Sequence, residues 1–294
     1  MNHFISNFDI EAEASLGVLD DRTIGRILVD HGKLKREDVD RVFRLHKEKG
    51  MRFGEAAQKL KLITKADIQQ ALAVQFNYPC LQPGEAILGA ELVAAYQPSS
   101  PQGEAVRDLR SQLLFRWFDS RQKTLSIVSP KRGDGRSYIA ANLAVAFSQW
   151  GGNTLLIDAD LRAPRQHQIF SLPGQVGLSS VLSGRAWTEV IQPIPYFGNL
   201  SILPAGTVPP NPLELLGRQE FVRLLSDAAR NYEFVLIDTP ASEKGSDAVT
   251  IAARTGGAMM VARQDHSRLP ELQELMDGVT GYGAQLVGTI LNEF

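Results

Sequence analysis

The sequence predicts an α/β protein, a mostly parallel sheet flanked by helices, preceded by a small all-α domain. Three observations carry that expectation. Short apolar runs alternate with helical patterns through the C-terminal part, the order of a parallel sheet covered on both faces. The N-terminal part repeats itself at a fixed offset. Between them lies QPSSPQ at 97–102, whose prolines and serines disfavour helix and strand alike. The expected organisation is a flexible lead-in over 1–19, a helical repeat domain over 20–96 and a sheet domain over 97–294.

Residues 1–19 are acidic and lack apolar periodicity, and no basic start leads into an apolar run, so they do not read as a secretory signal. The repeat follows. IGRILVDHGKLKREDVDRVFRLH is echoed by FGEAAQKLKLITKADIQQALAVQ, with Gly25 matching Gly54, Leu34 matching Ile63, Val39 matching Ile68 and Phe43 matching Leu72. Each pair lies 29 positions apart (54 − 25, 63 − 34). Thr64 followed by Asp67 reads as a capped helix start, after which Ile68, Ala71, Leu72 and Gln75 share a face. Two copies of a short helix, a turn and a longer helix are expected to pack together and to end near Tyr78–Pro79.

Beyond the linker, a charged helix from Glu104 to about Phe118 precedes strand candidates at 124–129, 154–157, 200–203, 234–237, 258–261 and 286–291. The composition suits such a fold: 44% hydrophobic and 22% charged residues supply at least one substantial core. A net charge of −2 gives no bulk attraction to nucleic acid, and none is expected as a partner. The longest apolar helix, Ile139–Trp150, is interrupted by Asn142, Ser148 and Gln149 and is too short to span a bilayer, so the expected location is the cytoplasm. The single cysteine, Cys80, has no partner for a disulfide or a metal pair and is expected in a core.

The first strand, TLSIVS, runs into PKRGDGRSYIAANLAVAF. A strand, a glycine-containing loop and a helix form the context in which backbone N–H groups cradle phosphates. Lys131, Arg132, Gly133, Asp134, Gly135, Arg136, Ser137 and Tyr138 are therefore the nucleotide-binding candidates. Gly133 and Gly135 supply positive φ angles, and Ser137 stands where a hydroxyl ligates Mg²⁺. The loop departs from G-x-x-x-x-G-K-[ST] at Pro130 and at Arg136, which replaces the lysine. The next strand delivers Asp158 and Asp160 at its C-terminal end, and FVLIDTP ends on Asp238, as in P-loop NTPases. Such carboxylates can hold Mg²⁺ and accept a proton from an attacking hydroxyl. The histidines have no metal-ligand spacing, and no G-x-S-x-G element is present.

Between Glu104 and Asn292 these residues resemble the bacterial tyrosine kinases, cytoplasmic autokinases of capsule and exopolysaccharide operons. The likeness rests on IDADLRAPRQH, GLSSVLSG, LPAGTVPPNPLELL, IDTPASEKGSDAVTIAA and GTILN, and the order resembles the chain-length-determinant variety. The resemblance implies ATP as substrate and ADP as product, with Ser137, Asp158 and Asp238 managing Mg²⁺. It makes Asp160, Arg136 and Asp238 the catalytic candidates, with Asp160 helping to activate the incoming tyrosine hydroxyl. It implies a homo-oligomer joined through Glu104, Arg107 and Arg110, which three-residue steps place on one helix face. It also implies the cytosolic tail of a membrane polysaccharide co-polymerase as partner, hence peripheral membrane association. Two departures bear on activity: no tyrosine follows Tyr282, and a planar guanidinium stands at 136 where the family has a compact ammonium. A nucleotide-sensing scaffold of the same machinery is the alternative. Lys131 matches a second phosphate-contacting lysine of partitioning-type ATPases and is alternatively an exposed loop residue.

The repeated unit resembles the N-terminal module of type II secretion and pilus ATPases, whose tandem motifs bind cyclic di-GMP. Gly25, Leu28, Val29 and Gly32 fit the first motif, and Arg52, Phe53, Gly54 and Gln75 fit the second. Thr23 replaces the first arginine, His46 the first glutamine and Lys61 the second inner glycine. The competing reading is a protein-docking module in which the repeated apolar residues serve only as core.

Overall fold

A computed structural model describes residues 24–76, 80–81, 86–120 and 122–293. The lead-in over 1–19, Thr23, the Tyr78–Pro79 pair and Phe294 lie outside the described residues. The chain divides into two compact units, Met1–Cys80 and Leu81–Phe294.

In the first unit, α1 (Ile24–Asp30) and α2 (Arg36–Lys49) are followed by α3 (Phe53–Lys59) and α4 (Lys65–Gln75), so short and longer helices alternate twice. Thr64 caps α4 by accepting from the Asp67 N–H at 3.2 Å, and the Asp67 carboxylate accepts from the Thr64 N–H at 2.8 Å. Ile27, Leu28, Leu34, Val39, Val42, Ala56, Ala57, Ile63 and Ala71 form its core. The turn after each short helix uses a left-handed residue, Gly32 at φ +66° and, 29 positions later, Lys61 at φ +57°. The second turn keeps the backbone of the first although a side chain has replaced the glycine. Left-handed geometry costs an L-residue about 1–2 kcal/mol, so Lys61→Gly is expected to raise stability by about 1 kcal/mol in chemical denaturation. An unchanged or lowered midpoint would show that Lys61 is not strained.

The second unit opens with α5 (Val93–Tyr96) and α6 (Pro101–Arg116). Strands β1 (Thr124–Val128), β2 (Thr154–Asp158), β3 (Gln192–Pro193), β4 (Leu200–Leu203), β5 (Phe234–Asp238), β6 (Gly257–Arg263) and β7 (Gln285–Asn292) form one sheet in the order β3-β4-β2-β5-β1-β6-β7. All neighbours are parallel except β3, which pairs antiparallel with β4 and is too short to announce itself by periodicity. The helices between strands are α7 (Arg136–Gln149), α8 (Gln166–Ile169), α9 (Leu178–Leu182), α10 (Pro212–Leu216), α11 (Gln219–Asn231), α12 (Asp247–Thr255) and α13 (Leu269–Gly281). On one face Phe147 stacks on Phe234 with ring centroids 4.4 Å apart, and Phe118 meets both edge-on. The other face buries Leu178, Leu216, Phe221 and Leu224 from α9 to α11.

Leu81 and residues 86–96 pack with the sheet unit, although the expected boundary lay at 97. Leu81, Leu92, Ala94 and Ala95 are part of the core that contains Phe147. The physical reason lies in α7, which is buried on nearly every side. Two of its interrupting polar residues are satisfied by this segment: Asn142 Oδ1 accepts from the Ala94 N–H at 2.9 Å, and Gln149 Nε2 donates to the Ala94 carbonyl at 2.8 Å. Cys80, expected in a core, is only half-buried.

Candidate functional site

The strand order brings the C-terminal ends of β2, β5 and β1 side by side, the place where open parallel sheets bind ligands. Asp158 and Asp238 are direct register partners across β2 and β5. The loop from Ser129 to Gly135 leaves β1 there and enters α7, with Gly133 at φ +89° and Gly135 at φ +101°. A cleft of about 780 Å³ opens over it, lined by Gly133, Gly135, Arg136, Ser137, Tyr138 and Asp160 among others. The helix N-terminus and the loop amides make one wall of that cleft an anion cradle.

Two loop residues expected at the nucleotide turn elsewhere with their side chains. Asp134 is buried: its carboxylate accepts from the Lys131 N–H at 2.8 Å and the Ser267 hydroxyl at 2.9 Å, and lies 2.8 Å from His266 Nδ1. Asn292 Nδ2 donates to the Asp134 carbonyl at 3.0 Å. Asp134 therefore ties the loop to the segment after β6 and to the end of β7, leaving only its backbone for phosphate. Lys131 places Nζ 2.8 Å from Glu271 on α13, so its charge is engaged beside the cleft rather than in it. Arg132 donates its backbone N–H to Glu243 at 3.2 Å, and its exposed side chain lines the cleft.

The three carboxylates play different parts. Asp158 is fully buried, and its two oxygens accept from the N–H groups of Asp160 (3.2 Å), Arg165 (3.0 Å) and Gln166 (2.9 Å). It fixes the loop after β2 through these backbone hydrogen bonds. Burial, reinforced by the neighbouring Asp238 charge, holds its pKa well above the usual carboxylate range. Asp160 uses one oxygen for the N–H groups of Arg162 (3.1 Å) and Ala163 (2.9 Å), while the other faces Arg136 at 3.9 Å. Asp238 accepts from Gln166 Nε2 at 2.8 Å, its second oxygen is buried with no hydrogen-bond partner, and the nearby Ser137 hydroxyl favours its ionised form. Burial pushes its pKa up to about 6 despite the opposing Arg136 charge.

Arg136 does not extend into the cleft as a free cation. Nε donates to the Thr239 carbonyl at 2.8 Å, and Nη1 donates to Ser129 Oγ at 2.5 Å and to the Lys131 carbonyl at 2.9 Å. The guanidinium thus laces both ends of the phosphate loop to the turn after β5, and Nη2 is left nearest Asp160.

The donor set fits Mg²⁺. Magnesium takes few protein ligands, usually one or two carboxylates plus phosphate and water, and here a hydroxyl and a buried carboxylate oxygen without a partner stand together. Among the described residues no cluster of three or more acidic, histidine or cysteine side chains forms a self-sufficient metal cage. The raised pKa of Asp238 has a consequence for stability. A carboxyl whose folded pKa exceeds its unfolded value costs nothing at low pH, destabilises increasingly as pH rises from the unfolded value of 3.8 to about 6, and adds no further penalty above that. Without metal, Asp238→Asn is expected to be up to about 3 kcal/mol more stable than the parent at pH 8 and no different at pH 4. It is also expected to lose the thermal stabilisation by Mg·ADP. Denaturation at both pH values checks this, and a variant weaker at pH 8 contradicts it.

The Glu104, Arg107 and Arg110 face is only partly outward. Glu104 is exposed and pairs with Arg107, whereas Arg110 Nη1 donates to the Ala146 carbonyl at 3.2 Å on α7. In the first unit Gly25 and Leu28 are buried, and a Cβ on Gly54 would approach Ile68 to 3.3 Å, so these three contribute to the core. Gly32 and Arg52 reach the surface, with Val29, Phe53 and Gln75 half-buried. Sequence reasoning missed Gln166, Thr239, and the Arg162–Asp247 ion pair at 2.8 Å. Gln166 lies inside the quoted IDADLRAPRQH stretch, but nothing in its spacing marks it.

No protein-family model matches the chain. It is 33% identical over 201 residues to the tyrosine-protein kinase YwqD of Bacillus subtilis, covering 68% of this chain and 85% of that protein. It is 32% identical over 203 residues to the tyrosine-protein kinase Wzc of Salmonella typhi, covering 69% of this chain but only 28% of Wzc. The kinase domain of the Escherichia coli tyrosine kinase ETK superposes with a TM-score of 0.67 at 31% identity, over 72% of this chain and 82% of that domain.

Proposed function

Because the chain belongs to the bacterial tyrosine-protein kinases, we propose that it is a Mg²⁺- and ATP-dependent protein-tyrosine kinase or ATPase that regulates exopolysaccharide chain length and export. One observation carries this reading: Ser137, Asp160 and Asp238 converge beneath an anion cradle, and a buried Asp238 oxygen is left without a partner. The loop amides and the N-terminus of α7 would hold the phosphates, and Ser137 with Asp238 would hold Mg²⁺, whose bound charge neutralises the phosphate oxygens. Asp160, with one oxygen facing the cleft, would accept the proton of the tyrosine hydroxyl. The partner in this reading is the cytosolic tail of a membrane polysaccharide co-polymerase, reached from the cytoplasm. No helix among the described residues is long and apolar enough to cross a membrane. Homo-oligomerisation would use Glu104 and Arg107, the outward part of that helix face.

The test is incubation of the purified chain with Mg·ATP, with and without that tail, reading ATP hydrolysis and tyrosine labelling together. Absence of both under every condition sinks the enzyme reading. A second reading, a weak or inactive nucleotide-sensing scaffold, is favoured by the Arg136 guanidinium being committed to loop carbonyls and Ser129. Nucleotide binding without turnover would select it. For the first unit cyclic di-GMP remains the proposed effector, motivated by exposed Arg52 and by Phe53 and Gln75, which are only half-buried. Calorimetric titration decides it, and no heat with wild type or a signal untouched by Arg52→Ala discards it.

A further inference from the structure

The phosphate loop, β2 and β5 meet at one side chain that neither the motif nor the spacing singled out. Gln166 is fully buried at the start of α8. Its Nε2 donates to the Ser137 carbonyl at 3.1 Å and to Asp238 at 2.8 Å. Those two acceptors fix the amide orientation, because the reverse rotamer would set its carbonyl against a carbonyl and a carboxylate. The Gln166 carbonyl oxygen is thereby directed away from both, and it is buried with no hydrogen-bond partner. The other Asp238 oxygen is in the same condition.

Two orphaned acceptors therefore sit on side chains joined by a single hydrogen bond, close to the Ser137 hydroxyl. Buried acceptors are rarely left without partners, and an unsatisfied pair of one sign asks for an occupant of the other sign: a cation, or water that a cation orients. Carboxylate, hydroxyl and amide carbonyl oxygens are the hard donors that Mg²⁺ and its water shell accept.

Resting on the kinase or ATPase reading above, we infer that Gln166 is a positioning residue for the nucleotide-bound divalent cation. Its NH₂ orients Asp238 and the Ser137 backbone, and its carbonyl oxygen accepts from a water of the metal's shell. The residue couples the loop after β2 to the metal without contacting nucleotide.

The experiment titrates the full chain with ADP in EDTA and in MgCl₂, for wild type, Gln166→Leu and Gln166→Glu. Leucine removes both the NH₂ and the oxygen, whereas glutamate removes the NH₂ but keeps an oxygen at the metal side. Gln166→Leu is expected to weaken the Mg²⁺-dependent part of ADP affinity by about 10- to 100-fold and to leave affinity in EDTA unchanged. Gln166→Glu is expected to retain part of the Mg²⁺ linkage, because the metal-side oxygen survives while the orienting NH₂ becomes an oxygen set against Asp238 and the Ser137 carbonyl. If both variants lose the linkage equally, Gln166 is only a structural brace and the inference falls. It falls equally if Gln166→Leu retains the wild-type linkage. Wild type that binds no nucleotide in either buffer removes the kinase reading along with the inference. A Mn²⁺·ADP crystal structure of the wild-type chain covers the case of a variant that does not fold. There the Gln166 oxygen should lie within hydrogen-bond reach of a metal-bound water, and any other orientation overturns the assignment.

Discussion

Asp160→Asn is expected to lower phosphate transfer to tyrosine, or ATP hydrolysis where that is the reaction, by roughly 10²- to 10⁴-fold while leaving Mg·ADP affinity nearly unchanged. The asymmetry of the carboxylate underlies the expectation. One oxygen holds the backbone N–H groups of Arg162 and Ala163, and an asparagine carbonyl can take over both bonds. The other oxygen faces the cleft 3.9 Å from Arg136, and its replacement by NH₂ removes the only proton-accepting function while preserving shape. Asp158→Asn provides the contrast. Its oxygens accept three backbone N–H groups on both sides, so an amide must turn an NH₂ against at least one donor. Loss of a buried acceptor costs about 1–3 kcal/mol and opposes the relief from removing a buried carboxylate beside Asp238, so the change should appear in the pH dependence of the melting curve and not in the rate. Steady-state rates and thermal denaturation of the two variants separate the roles. A catalytic collapse in Asp158→Asn with Asp160→Asn active would reverse the assignment.

The strands, the phosphate loop and the three aspartates were legible because each depends on local pattern: apolar runs of strand length, glycines where the backbone turns left-handed, and carboxylates at strand ends. The repeat was legible for the same reason, down to the Thr64 cap. What could not be read was every contact made across distance. Nothing in the neighbourhood of Asp134 indicates that His266, Ser267 and Asn292 close around it. Asn142 and Gln149 looked like interruptions of an apolar helix, and became explicable only once residues 91–94 lay against them. Gln166 belongs to the same class, a polar residue whose role exists only where β2, β5 and α7 converge. Arg136 was visible as a departure from the usual lysine, but where its guanidinium points is set by Thr239, over a hundred residues away in sequence.

Arg136 also gives the largest expected change in stability. Replacing it with methionine keeps volume but removes the cation that opposes the buried Asp238 charge and faces Asp160. Breaking a buried ion pair from one side costs about 3–5 kcal/mol, and the carbonyls of Thr239 and Lys131 lose their donor as well. Arg136→Met is therefore expected to unfold several degrees earlier and to bind nucleotide poorly. Arg136→Lys separates charge from geometry. An ammonium keeps the positive charge but cannot reach Thr239, Ser129 and Lys131 at once, so a smaller loss of about 1–3 kcal/mol is expected from the missing hydrogen bonds. The released charge can then reach the phosphates, which a compact ammonium suits better than a planar fork, and turnover should rise by at least about tenfold even as stability falls. Urea denaturation and ATPase assays on the same samples check both halves. If Arg136→Lys loses stability and turnover together, the guanidinium is itself a phosphate ligand, and its loop contacts reorganise when nucleotide arrives.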